Sequence, residues 1–115
     1  MIVDGTNLSM IRGDTESITV SINDSEGAPI SLITNEDTVY FTVKLNTTVQ
    51  EKVLQKVITN FDIDGNAIVE LSHDDTKELP YRAYKYDIQW VDSTGNVRTI
   101  IVPSLFTIEP EITFD

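Results

Sequence analysis

Residues 79–108 constrain the fold of this chain more than any other stretch. Tyr84, Tyr86, Ile88 and Trp90 fall on every second residue, with Lys85, Asp87 and Gln89 between them. A period of two over that length is a half-buried β-strand with its rings on one face. Asp92-Ser93-Thr94-Gly95-Asn96 then supplies turn residues. Residues 97–102 run back as a β-branched, apolar second strand. The prediction is a long antiparallel hairpin at the heart of an all-β domain.

Other segments fit the same class. Residues 7–11 predict a short first strand with Leu8 and either Met10 or Ile11 inward. Residues 16–22 alternate, with Ile18, Val20 and Ile22 on one face. Val39, Phe41, Val43 and Leu45 share a face of a strand over 38–45, opposite Tyr40, Thr42 and Lys44. Residues 50–59 fit a helical stripe, yet their valine and isoleucine content favours a strand. Asp64-Gly65 reads as a tight turn before a strand over 66–71. Ser72 and Asp75 have the spacing of a capping box, which predicts one short helical turn halted by Pro80. Pro29 cannot donate to a ladder, so residues 28–32 are at best an edge segment. Pro103 interrupts the returning strand, and residues 105–108 continue it with an offset. About seven short strands separated by turns predict an immunoglobulin-like antiparallel β-sandwich forming a single domain over residues 1–115. Tyr84 or Tyr86 stands where such folds place a tyrosine corner.

Composition narrows the function classes. The chain carries 19 acidic and 8 basic residues, a net charge of −11, spread over both halves. Nucleic acid is not an expected partner, because phosphate contacts need clustered lysine and arginine. With no cysteine, neither a disulfide framework nor a thiolate metal site can form. No apolar run approaches the roughly 20 residues that span a bilayer, so no membrane association is expected. The N-terminal residues lack a basic and apolar leader, which predicts synthesis in a cytoplasm.

Reactive chemistry is thinly supplied. His73 is the sole histidine, and its acidic neighbours in sequence do not make a triad, which is a matter of geometry. The expectation is therefore no enzyme and no catalytic residues. No cofactor and no metal is expected either. The five glycines are scattered, with no phosphate loop among them. Asp62-Ile63-Asp64-Gly65-Asn66 opens like a calcium loop, but the twelfth position is His73 rather than glutamate. An Asp-Gly turn is the simpler reading. Arg12-Gly13-Asp14 spells an adhesive tripeptide, though glycine and aspartate are ordinary turn formers. Asn7, Asn23 and Asn46 open glycosylation sequons that matter only in a secretory context. Among the aromatics, Tyr81 beside Pro80 is the one expected at the surface, where it could serve a sugar platform.

The order of these features resembles the N-terminal domain of the baseplate upper proteins of tailed phages that infect Gram-positive bacteria. The matching pieces begin with Arg12-Gly13-Asp14-Thr15, then Gly27-x-Pro29-Ile30 and Phe41-Thr42-Val43-Lys44. Gly65-x-Ala67 with Leu71, and Asp75-Thr76-x-x-Leu79, follow. The last are Tyr84-x-Tyr86-Asp87-Ile88, Gly95 and Thr99-Ile100. They span roughly residues 8–112 and are turn and core positions. Arg82-Ala83 stands where the family often has glycine. The family's domain continues into linker helices, whereas this sequence ends at Asp115, which widens the expectation to decoration, neck or fibre-anchoring roles. The resemblance implies a non-enzymatic virion protein, made in the bacterial host, that docks other virion proteins and forms a homo-oligomer. The expected partner-binding residues are Pro29 and Ile30 at an open edge, Tyr81 in its loop, and Ile112 and Phe114 on a tail able to add as a strand. A carbohydrate-binding or adhesive module is the alternative.

Overall fold

A computed structural model describes residues 1–112. Among these residues ten strands and one helical turn follow one another: β1 (Ile2–Asp4), β2 (Asn7–Ile11), β3 (Glu16–Val20), β4 (Ile22–Asn23), β5 (Pro29–Ile30), β6 (Thr38–Lys44), β7 (Leu54–Ile58), β8 (Ala67–Leu71), α1 (His73–Thr76), β9 (Arg82–Val91) and β10 (Val97–Glu109). One six-stranded sheet has the order β1-β2-β10-β9-β6-β7. The ribbons β3-β8 and β4-β5 form the facing layer. The fold is all-β and sandwich-like, as the alternation predicts.

Hairpin β9-β10 holds the two central positions of the large sheet. Tyr84, Tyr86, Ile88 and Trp90 are all buried. Phe41 of β6 packs against Tyr86 at 5.3 Å between ring centroids and meets Phe106 of β10 edge-on at 5.8 Å. Val20 of β3 with Ala67, Val69 and Leu71 of β8 covers this cluster from the other layer. The Tyr84 hydroxyl donates to the Pro80 carbonyl at 2.8 Å, four residues upstream, as a tyrosine corner requires. At residues 54–58 the strand reading holds, because Leu54 and Ile58 pack on the core as they pair with β6. The Ser72 N–H donates to the Asp75 carboxylate at 2.8 Å, which completes the expected cap of α1.

Four features depart from the sequence reading. The sheet is not wholly antiparallel, since β2 runs parallel to β10, pairing Leu8 with Phe106 and Met10 with Ile108. Nearly the whole chain serves as the crossover that a parallel pair needs. The strand count also exceeds seven, because three pieces are only two or three residues long. β1 was missed, although Asp4-Gly5 announces it: Gly5 takes φ 61° in the two-residue turn joining β1 to β2. Leu45 lies beyond the end of β6 and is exposed, so it does not share the buried face of Val39, Phe41 and Val43. Pro103 does shift the β10 register, between Ile101 and Ser104. Asn7 Oδ1 stitches this bulge by accepting the Leu105 N–H at 2.9 Å.

Candidate functional site

Three turns share one construction. Asp24, Asp62 and Asp92 each open a turn with glycine three residues on, at Gly27, Gly65 and Gly95. Each aspartate Oδ1 accepts the N–H groups two and four residues ahead, at 2.8–3.1 Å. The carboxylates therefore replace backbone partners within their own loops. At Asp92 the Thr94 hydroxyl, the Arg98 guanidinium and the Asn96 and Thr94 amides hold the carboxyl below the usual carboxylate range. The Asp62 loop that resembles a calcium site is one of these turns. Among the described residues no group of three acidic or histidine side chains is placed to hold a metal ion.

At the opposite end of the large sheet, Arg12 gathers the loops. Its Nε and Nη2 donate to the two Glu111 oxygens, each at 3.0 Å, and Nη1 donates to the Leu79 carbonyl at 3.3 Å. The guanidinium lies 4.1 Å from the centre of the Tyr81 ring. The Tyr81 hydroxyl donates to Glu111. Arg12 first, and then Tyr81, hold the Glu111 carboxyl down at about 2. Arg12 of the adhesive tripeptide is thus turned inward to its own chain. The Gly13 N–H donates to Thr76 Oγ1 at 2.8 Å, and the Gly13 carbonyl lies 2.8 Å from His73 Nδ1. A carbonyl only accepts, so Nδ1 carries the hydrogen there. His73 thereby clasps the turn after β2 onto α1.

The expected partner-binding residues do not converge. Pro29 is exposed and Ile30 half-buried on the ribbon β4-β5. Tyr81 is half-exposed, but one ring face and its hydroxyl are already engaged. Ile112 is exposed, three residues past the end of β10. Phe114 lies outside the described residues.

The sequence reading missed an apolar cleft on the β1/β3 side. The ribbon β3-β8 is too narrow to cover the six-stranded sheet. An opening of about 560 Å³ remains between β1 and β3, with Val3, Leu8, Ile18, Val20, Tyr86, Ile88 and Ile101 among its walls. The Tyr86 hydroxyl donates to the Thr6 carbonyl in this cleft, and burial raises its pKa. At one end the N-terminal ammonium of Met1 bonds to Glu16 Oε2 at 2.6 Å. The opposite side of the sandwich is shut. There Lys56 of β7 bonds to Asp75 at 2.8 Å, while Val53, Leu54, Ile58 and Phe61 pack on the core. Burial alone would raise the Asp75 pKa, but the Lys56 and Ser72 hydrogen bonds outweigh it and lower it. Only β1, β2, β3 and the middle of β9 and β10 border the cleft, and no local pattern announces that juxtaposition.

No protein-family profile matches the chain, and no curated protein sequence matches it.

Proposed function

We propose that this protein is a non-enzymatic docking module of a phage virion, engaging other virion proteins through the uncovered strand edges beside the β1/β3 cleft. One observation carries the reading. Among the described residues, the outer edges of β1 and β3 have no strand beside them, and Val3 is 64% exposed at an opening lined with apolar side chains. Bare edges template pairing with another chain, and proteins usually guard them with lysine, proline or a bulge. β7, the other edge of the large sheet, is guarded by Lys56. β1 and β3 contain no lysine or proline. An added strand with alternating apolar side chains would hydrogen-bond to an edge and fill the cleft. A second copy of the chain can supply such a strand as well as another virion protein can, which fits the expected homo-oligomer. The phage setting comes from the likeness of the turn and core positions to baseplate upper domains. A structural role also accommodates His73 and Arg12, whose polar atoms tie loops together.

The test is co-expression with the products of neighbouring genes, followed by size-exclusion chromatography with light scattering. Wild type should enter a stoichiometric complex, and Val3→Lys should remain folded and stay outside it. An inert monomer in every mixture, or a Val3→Lys protein that assembles normally, would refute the proposal.

A further inference from the structure

A second surface concerns the outward face of the six-stranded sheet. Residues alternating with the core place Thr42 and Lys44 of β6 there, with Lys85, Asp87 and Gln89 of β9. The register sets Lys44 directly opposite Lys85, and Thr42 opposite Asp87. Gln55 of β7 pairs with Thr42 and donates its amide to Thr42 Oγ1 at 3.0 Å. Lys52 reaches in from the 45–53 loop and donates to Gln55 Oε1 at 3.2 Å. These side chains line a polar groove of about 280 Å³, closed on one flank by Asn46 and Thr47 and on another by Pro103.

The charges in this groove are unusual for the chain. Of the 8 basic residues, Arg12, Lys56, Lys77 and Arg98 each bond to a carboxylate. Arg82 donates to the carbonyls of Leu45 and Ala83. The remaining three are Lys44, Lys52 and Lys85, all in the groove, and none forms an ion pair at contact distance among the described residues. Like charges directly opposite on neighbouring strands repel. A protein of net charge −11 therefore keeps a repulsive cationic pair on its sheet. Asp87 stands beside the pair, with burial raising its pKa and Lys44 opposing that rise.

We propose that this groove binds an acidic saccharide, with the sugar carboxylate between Lys44 and Lys85 and the ring hydroxyls against Asp87, Gln89 and Asn46. The two lysines supply the charge and donors for a carboxylate. Asp87 accepts hydrogen bonds from ring hydroxyls, which a simple carboxylate anion does not offer. The polar floor disfavours an apolar ligand, and three lysines in one groove fall short of the extended basic stripe that nucleic acid requires. The volume lies near the small end of ligand sites, suited to one or two sugar units. The inference stands apart from the docking reading, since the groove is on the opposite face of the sheet from the cleft.

The experiment is an amide chemical-shift titration of the full chain with sodium glucuronate, with glucose and sodium acetate as parallel probes. Glucuronate should give saturable shifts confined to residues 42–47, 52–55 and 85–89, and glucose and acetate should not. Lys85→Gln should weaken binding about tenfold, the loss expected for one charge-assisted hydrogen bond. Lys85→Gln should also melt no lower than wild type, because it relieves the repulsion with Lys44, so a misfolded variant cannot mimic the result. Absent or non-saturable shifts would overturn the proposal. So would equal shifts with acetate or glucose, or unchanged affinity in Lys85→Gln.

Discussion

Replacing Asp37 with alanine should cost this domain about 2–4 kcal/mol, although the residue lies in a loop. Asp37 is 8% exposed. Its Oδ1 accepts the Trp90 indole N–H at 3.0 Å, and its Oδ2 accepts the Ile33 N–H at 2.8 Å. Alanine leaves the buried indole donor without a partner, at about 1–3 kcal/mol. The Ile33 amide belongs to an exposed residue and can turn to water, so its loss adds less. Trp90→Phe keeps an aromatic face for Arg98, which lies 5.1 Å from the ring centre, and removes only the donor and part of the ring. The decisive measurement is a double-mutant cycle by urea denaturation, followed by circular dichroism because Trp90 is the sole tryptophan. A hydrogen bond to a charged acceptor predicts a coupling of about 1.5–3 kcal/mol. Costs that add to within about 0.5 kcal/mol would show that Asp37 and Trp90 act independently, and the reasoning would fail.

Three further outcomes can be checked on the same protein. Gly65→Ala should destabilise by about 3 kcal/mol, combining a left-handed backbone with an added Cβ 2.6 Å from the Ser31 Cα. Gly27→Ala, at φ +85° in open space, should cost about 1–2 kcal/mol, so equal denaturation midpoints for the two variants would be contrary. Glu111 has a folded pKa depressed to about 2. Its contribution should therefore be complete above the unfolded pKa of about 4.3 and disappear as pH falls toward the folded value. The stability gap between wild type and Glu111→Gln should be constant near neutrality and close between those limits, and a gap that persists at the acid end would refute the assignment. Truncation before Pro110 should lower thermal stability, because it removes the Glu111 carboxylate to which Arg12 and Tyr81 bond; an unchanged melting temperature would show that the Glu111 bonds contribute nothing.

The longer strands and the Asp-Gly turns of this chain are legible in its sequence because their causes are local. Alternation along residues 38–44 and 82–91 decides which side chains face the core, and it needs no knowledge of the neighbouring strand. The Asp-x-x-Gly loops at 24–27, 62–65 and 92–95 close on their own carboxylates. The tyrosine corner at Tyr84 reaches back only four residues. Phe106 and Leu8, by contrast, could be read as buried but not as parallel neighbours. Arg12 and Glu111 are 99 residues apart, and Asp37 and Trp90 are 53 apart. The cleft depends on how far one ribbon covers another sheet, and the meeting of Lys44 with Lys85 depends on strand register. Alternation fixes the face a side chain takes, but the energy that selects its partner comes from packing two layers together. That energy exists only once segments distant in the chain have met, which is why the fold class could be read from the residues and both surfaces had to await the assembled sandwich.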